Sequence, residues 1–506
     1  MKKTVSLIIC MILILSCSLT AFAKDTQELV LSSVDGAGFQ MLNVPQIRVT
    51  TAEGNGLSLE KADGYVDASI TIDAPNGSHM EDSVLFKVRG NTTAMVGIDK
   101  KAFTFKFSKK KDVLGMGKGK KWVLLANAFD PTLLRNYVAN TFAHELDLAY
   151  TSNQQFVELW VDGSYRGCYG LYEPVNEGTD RVDIDIESNR GMKDFLIEYE
   201  AQRVEEDVTY FTVDKLRFIA SEPEDPNEEQ LGYITSTMQD IVNTLKTGTR
   251  EQIEAKIDVE SFAKYCFMNE YLKTFDFDMS SVFFYYKDGK LYAGPAWDYD
   301  LSAGNINDTL LSSRYKQAVP PTGMFANNKN IYIYLCDKEW FNAEVRSVYK
   351  EYYPFVSSIF ADGGLMDSTY EEYREIFERN YSSGVWKVSR NWINIQKRAL
   401  PTYEENYNFL KNWYQERNIW LTDNMDPFDV NHYYMGDCDA DKKVTVIDAT
   451  AIQKVLASIP VASYDSAVAD VDDDGFVTVI DATVIQKYLA HVPTVGRTGE
   501  RLVYES

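Results

Sequence analysis

The chain has 506 residues, 45% of them apolar and 13% aromatic, and a formal net charge of −24. This composition suits two or three ordinary folded domains and excludes a disordered chain. The acidity argues against a nucleic-acid partner and against adsorption to an anionic surface, and only four histidines are present to supply metal or triad chemistry.

The chain opens with Met1-Lys2-Lys3, an apolar run from Val5 to about Leu19, and Ala21-Phe22-Ala23. A basic start, a short apolar core and a small-residue site predict a secretory signal peptide over 1–23. Cys17 follows Ile14-Leu15-Ser16, a poor lipoprotein signal. No later apolar stretch reaches the roughly 20 residues that span a bilayer. The mature protein is therefore expected to be secreted, extracellular and without a membrane span. Cys168, Cys266, Cys336 and Cys438 remain, too widely spaced for a disulfide scaffold or a zinc site.

Residues 24–425 read as one large α+β domain. Short strands are predicted at Leu29–Leu31, Gln46–Val49 and Ala68–Ile72, separated by the turn-rich Glu53-Gly54-Asn55-Gly56 and Pro75-Asn76-Gly77-Ser78. Lys101–Phe107 alternates, which puts Phe103, Phe105 and Phe107 on one face and Lys106 on the other. Trp122–Asn127 reads as a buried strand, Leu133–Leu148 as a helix, and Phe156–Val161 with Tyr165–Glu173 as a hairpin around Asp162-Gly163. Ile234, Met238, Ile241, Val242 and Leu245 recur at helical spacing. Residues 338–422 read as mainly helical, with Tyr349, Tyr352, Tyr353, Trp386, Trp392, Trp413 and Trp420 at helical spacing; core packing is favoured over sugar binding for this stripe.

The chemistry concentrates in one stretch. Phe275-Asp276-Phe277-Asp278 precedes a hairpin, Val282–Tyr286 to Lys290–Tyr292, that turns at Asp288-Gly289 and returns to Trp297-Asp298-Tyr299-Asp300. Such a hairpin brings its ends together, so Asp276 and Asp278 should be near neighbours of Asp298 and Asp300, a cluster of up to four carboxylates. In extended backbone the i, i+2 spacing puts both members of each pair on one side. So many carboxylates together are costly unless a cation sits among them. The bland alternative is turn and cap aspartates on an acidic surface.

After a short linker, 426–433, residues 434–495 hold a duplication. Asp437-Cys438-Asp439-Ala440-Asp441-Lys442-Lys443-Val444-Thr445-Val446-Ile447-Asp448 is repeated as Asp470-Val471-Asp472-Asp473-Asp474-Gly475-Phe476-Val477-Thr478-Val479-Ile480-Asp481, one supersecondary unit used twice. Calcium takes oxygens at loop positions 1, 3, 5, 7, 9 and 12, with a backbone carbonyl at 7. The first copy offers Asp437, Asp439, Asp441, the Lys443 carbonyl, Thr445 and Asp448. The second offers Asp470, Asp472, Asp474, the Phe476 carbonyl, Thr478 and Asp481. Without metal, each close carboxylate pair costs roughly 1 kcal/mol or more even near a surface. Gly475 suits the sharp turn at position 6, where Lys442 in the first copy would cost about 1 kcal/mol at positive φ. Ile452, Val455 and Leu456, and Val484, Ile485 and Leu489, then fall at helical spacing.

The duplicated stretch resembles a type I dockerin, a small all-α module of two calcium loop-helix repeats that plugs a secreted protein into a cohesin of a scaffoldin, building a cellulosome. The resemblance implies two Ca2+ and a cohesin-binding set of Val446, Ile447, Gln453 and Lys454 with its duplicate Val479, Ile480, Gln486 and Lys487. The identity of the two sets fits binding in either of two orientations. The aliphatic Val-Ile pair departs from the Ser-Thr pair of one dockerin group.

The middle domain is similar to the CotH kinase family, the spore-coat kinase group. The resemblance is carried by Arg89-Gly90-Asn91-Thr92-Thr93, by Lys100-Lys101-Ala102-Phe103-Thr104-Phe105-Lys106-Phe107, and by Leu114–Asn127. Further on it is carried by Leu133-Leu134-Arg135-Asn136, by Val157–Gly167 and by Gly294-Pro295-Ala296-Trp297-Asp298-Tyr299-Asp300-Leu301. It implies an atypical, distantly kinase-like α+β fold that transfers phosphate from ATP with Mg2+ or Mn2+ to a protein hydroxyl. By this resemblance Asp298, with Asp300, holds metal, and Asp276, with Asp278 as the rival, is catalytic. Lys106 is the candidate phosphate-contacting lysine, with Glu158 or Glu173 as its ion-pair partner. The chain has no Gly-x-Gly-x-x-Gly loop and no His-Arg-Asp, and Ser280-Ser281 stand near where a kinase carries the second metal-binding Asn. The competing reading is an inactive structural, partner-binding or polysaccharide-binding module of the cellulosome. Glycoside hydrolysis by paired carboxylates is a third.

Overall fold

The computed structural model describes residues 42–94, 100–188, 191–201, 205, 208–307, 316–386, 399–425, 432–439, 441, 443–490, 492, 494, 496–499 and 501–503. The expected signal peptide 1–23, the strand at Leu29–Leu31, Trp392, most of the linker and Lys442 lie outside them. The chain forms two compact units.

The first unit takes its described residues from 42–131, 153–174 and 373–386. Seven strands close a barrel: β1 (Gln46–Thr51), β2 (Val66–Asp73), β3 (His79–Arg89), β4 (Ala102–Asp112), β5 (Lys118–Leu125), β6 (Gln154–Val161) and β7 (Ser164–Tyr172). Their order is β1-β2-β3-β4-β5-β7-β6, and a parallel β1–β6 pairing closes the ring. Alternation fills the interior. Phe103, Phe105 and Phe107 are buried as the pattern predicts, and Phe86 stacks on Phe103 with ring centroids 4.8 Å apart. The β6–β7 hairpin turns at Asp162-Gly163, both at positive φ, the geometry that matches strand twist. Outward-facing Phe156 is covered by Tyr373 and Phe377, from the end of the helix Leu365–Ser382.

The second unit holds 132–152, 175–372 and the residues from 393 on. A two-stranded ribbon pairs β8 (Glu187–Ser188) with β9 (Gly191–Met192). A five-stranded antiparallel sheet follows, built from β10 (Phe195–Tyr199), β11 (Tyr210–Val213), β12 (Leu216–Glu222), β13 (Val282–Lys287) and β14 (Lys290–Ala293) in the order β11-β12-β10-β13-β14. The predicted β13–β14 hairpin is present, with Asp288 and Gly289 at positive φ. The helix Glu228–Thr247 buries the five apolar residues its periodicity picks out, and Asn227 with Gln230 forms its capping box.

The helix Val259–Leu272 is the backbone of this unit. Asp258 caps its start through the Ser261 amide, and Lys273 in left-handed conformation ends it. It packs against the helices Arg135–Glu145, Glu339–Phe360 and Tyr403–Met425. Phe142 meets Phe267 and Tyr271 edge-on, Tyr271 stacks on Tyr414, and Phe262 stacks on Phe284 of the sheet. Tyr349, Trp386 and Trp413 of the aromatic stripe are buried, which favours core over a sugar platform for these three. The pair Arg417–Glu270 is also buried, 2.5 Å apart, and Glu270 accepts the Phe325 and Ala326 amides besides.

In the duplicated segment, helices Val446–Leu456 and Val479–Leu489 pack on each other around Ile452, Val468, Val471, Val484 and Ile485. Val455, Leu456 and Leu489, which share the helical spacing of the core residues Ile452, Val484 and Ile485, are exposed. A short ribbon of β15 (His432–Tyr434) and β16 (Arg501–Val503) is added to the expected all-α module. Its first strand begins in the predicted linker, 426–433, and ends at Tyr434.

Candidate active site and calcium loops

Two backbone bonds shape the acidic site. The Phe275 amide donates to the Leu301 carbonyl at 3.0 Å, and the Ala303 amide to the Leu272 carbonyl at 2.8 Å. They lay the exit of the Val259–Leu272 helix beside the segment that leaves β14. Asn136 accepts the Tyr299 amide at 2.7 Å and Asn305 donates to the Asp300 carbonyl at 2.7 Å, which fixes the segment that follows β14. Asp298 sits at φ 67, a region costly for most residues and mildest for Asp and Asn.

As a result Asp276, Asp298 and Asp300 each bring a carboxylate oxygen within 4.8 Å of the others. Burial, then Asp298, then Glu200 push the Asp276 carboxyl well above the usual carboxylate range. Ser281 donates to Asp298 at 3.5 Å, and its amide to Glu198 at 3.0 Å. The three hard oxygen donors fit a divalent cation such as Mg2+ or Mn2+.

Asp278 does not join them. Phe275–Asp278 is a 3-10 turn rather than extended chain, so the i, i+2 spacing splits Asp276 from Asp278 instead of aligning them. Asp278 is buried against Lys329, 3.8 Å away, and Asn330 donates to the Phe277 carbonyl at 2.6 Å. It anchors the turn from behind, leaving Asp276 as the catalytic candidate of the two.

On the barrel, Lys106 faces outward from β4 as predicted, beside Leu85 and Lys121. It makes no ion pair with Glu158 or Glu173 among the described residues. The buried Glu158 instead takes Arg379 at 2.9 Å and the Tyr165 hydroxyl at 2.7 Å, and burial raises its carboxyl above the usual range. Glu173 accepts the Asn153 amide and side chain. The reason is topological: β5 and β7 lie between β4 and β6, and strands stand about 4.8 Å apart. A fully buried lysine of the barrel is Lys100, half of a Lys-Lys doublet in the sequence and not singled out there. Its ammonium donates to the Ala126 and Cys168 carbonyls at 2.7 and 2.6 Å and lies 4.9 Å from the Tyr169 and Trp386 rings. Burial lowers it to about 7. No local pattern signalled it.

Each calcium loop gathers three of its expected ligands within the same 4.8 Å: Asp437, Asp439 and Asp448, and Asp470, Asp472 and Asp481. Burial and neighbouring carboxylates raise Asp439 and Asp472. Asp441 and Asp474 accept the Lys443 and Phe476 amides at 2.9 Å, which turns the loop. Asp448 and Asp481 serve twice: each also accepts its N-cap threonine amide, Thr445 or Thr478, at 2.7 Å. Metal site and helix start are thus one device. Gly475 adopts φ 85, as its position requires. Val446, Ile447, Val479 and Ile480 are more than half exposed, with Gln453, Lys454, Gln486 and Lys487 also on the surface.

Together these features define a two-part protein: an α+β domain with a three-aspartate centre, then a paired calcium loop-helix module. Residues 86–421 match the family described as CotH kinase protein, and residues 435–490 match the dockerin type I domain. The chain belongs to the CotH kinase protein family and carries a C-terminal type I dockerin. No curated protein matches it. The dockerin brings calcium binding and a cohesin partner in a cellulosome-like assembly. Among the described residues no helix is long and apolar enough to cross a membrane.

Proposed function

We propose that this protein is a secreted cellulosome component whose CotH domain transfers phosphate from ATP to a protein serine or threonine. The observation that carries the reading is the convergence of Asp276, Asp298 and Asp300 at the mouth of the β13–β14 hairpin. A bound divalent cation would neutralise these carboxylates and hold nucleotide phosphates in place. Asp298 and Asp300 are assigned to hold it. Asp276, the member of the cluster on the turn that follows the Val259–Leu272 helix, is assigned to take the proton from the attacking hydroxyl. Asp278 with Lys329 keeps the Asp276 turn in place.

The test is phosphate transfer by the calcium-loaded full chain with Mg-ATP or Mn-ATP, beside Asp298→Ala and Asp276→Asn. Transfer in the wild type that disappears in both variants supports the assignment. Absence of nucleotide binding by the wild type removes it.

A second reading rests on a different observation. A groove of about 750 Å³ on the outer face of β1–β4 is lined by Thr50, Asp67, Ser69, Ser83, Leu85 and Lys106, polar hydroxyls around an exposed apolar residue. It suits a polysaccharide or protein partner held on the scaffold. Retention of the chain on insoluble polysaccharide, lost in Leu85→Asp, would favour this module over the kinase.

A further inference from the structure

Cys266 and Cys336 are far apart in sequence and were excluded from a disulfide framework on spacing. The fold brings them together. Cys266 lies on the buried face of the Val259–Leu272 helix, and Cys336 on the turn that leads to the helix Glu339–Phe360. Their sulfurs are 3.9 Å apart, in contact as two thiols. A disulfide has its sulfurs about 2.05 Å apart, so closure asks each side chain to move by about 1 Å. The backbone at Cys336 is held, its amide donating to the Tyr332 carbonyl at 2.9 Å and its carbonyl accepting from Asn342 at 3.1 Å. Cys266 is buried, whereas Cys336 is partly exposed.

We propose that Cys266 and Cys336 form a disulfide when the protein meets a small-molecule disulfide oxidant outside the cell, locking the segment that supports the acidic centre. The ring closed by this bond contains Asp276, Asp298 and Asp300. Its far side carries Lys329 and Asn330, which hold the Asp276 turn through Asp278 and the Phe277 carbonyl. Disulfides persist in oxidising compartments, where a dockerin-bearing protein works.

The chemistry proceeds in two exchanges. The accessible Cys336 sulfur, as thiolate, attacks one sulfur of the oxidant, breaking its S–S bond and releasing one thiolate. The Cys266 sulfur, giving up its proton to solvent, attacks the Cys336 sulfur of the mixed disulfide and displaces the second thiolate, and the released thiolates take up the protons. Two protein thiols are oxidised by two electrons while one small disulfide is reduced to two thiols. The hydrogen bond with Cys336 and burial hold the Cys266 thiol well above its ordinary value in the reduced protein, and burial persists in the mixed disulfide, so the second exchange should speed up with rising pH.

The experiment incubates the folded, calcium-loaded full chain with oxidised glutathione, quenches in acid, and alkylates the remaining thiols in denaturant. Peptide mapping should show the Cys266 and Cys336 peptides joined, the mass lower by two hydrogens, and Cys168 and Cys438 alkylated. The oxidised wild type should melt higher than the reduced by on the order of 5 °C. The joined peptide is read in the wild type, so it needs no variant to fold; Cys336→Ser should abolish the melting shift. Cys336 carrying only glutathione, or both thiols still free after incubation, overturns the proposal. Neither result depends on phosphotransfer, so the two readings fail separately.

Discussion

Replacing Asp298 with Asn tests the acidic centre with a reversal of sign. Three carboxylates lie within 4.8 Å, where a pair of unit charges repels by about 3–4 kcal/mol at an effective dielectric near 20. Asp276 and Asp298 are partly exposed, so solvent screening reduces this to about 1 kcal/mol per pair. Above the raised Asp276 value, where all three carboxylates are charged, Asp298→Asn removes two of the three pairs. Asn also tolerates the positive φ at this position, and the 3.5 Å contact from Ser281 contributes little. In chelator the variant should therefore be more stable than the wild type by about 2 kcal/mol, raising its main calorimetric transition by a few degrees. With Mn2+ at a hundred times its dissociation constant the wild type should gain about 2.7 kcal/mol, and the variant should not. A pH series gives a second arm. The folded state of the metal-free wild type keeps a proton on Asp276 that the unfolded chain has released. Its stability must fall as pH rises from about 4 through the raised Asp276 value, and Asp298→Asn should flatten that fall. A variant that melts below the wild type in chelator, or responds equally to Mn2+, would refute the charge-cluster argument.

Other outcomes follow from the same structure. Lys100, at about 7 when folded, leaves the unfolded chain holding the extra proton between pH 7 and its ordinary value, so it should raise stability with pH by about 1.4 kcal/mol per unit over pH 7–9; buried Lys273, also lowered to about 7, adds a like slope, so Lys100→Met should lower the slope by about half in urea titrations. Arg417→Met strands buried Glu270 without its cation and should cost about 3–5 kcal/mol by chemical denaturation; an unchanged midpoint would contradict the pairing. Asp481→Ala removes a calcium oxygen and the N-cap partner of Thr478 together, so cohesin binding measured by calorimetry should weaken and helicity should drop even in excess calcium. Retention of full helicity would show that the two roles are separate.

The calcium loops were legible because their chemistry is local. The ligands, the turn glycine and the N-cap threonine lie within one loop, and the repeat states the pattern twice. The strand alternation of Phe103, Phe105 and Phe107 and the helical run from Ile234 to Leu245 were legible for the same reason, since one face of each element is buried. The hairpin between Asp276 and Asp298 was also readable, because a tight turn fixes which chain ends meet. What sequence alone could not decide was side-chain direction where the backbone leaves regular geometry. The 3-10 turn sent Asp278 to Lys329 and kept Asp276 in the centre. Long-range pairing was equally hidden: strand order gave Glu158 to Arg379 rather than Lys106, and helix packing set Cys266 against Cys336. Local sequence determined the elements and the calcium chemistry, because hydrogen-bond geometry and side-chain periodicity act over a few residues. Tertiary structure alone decided which buried charges and thiols face one another, because burial and proximity arise only when distant segments pack.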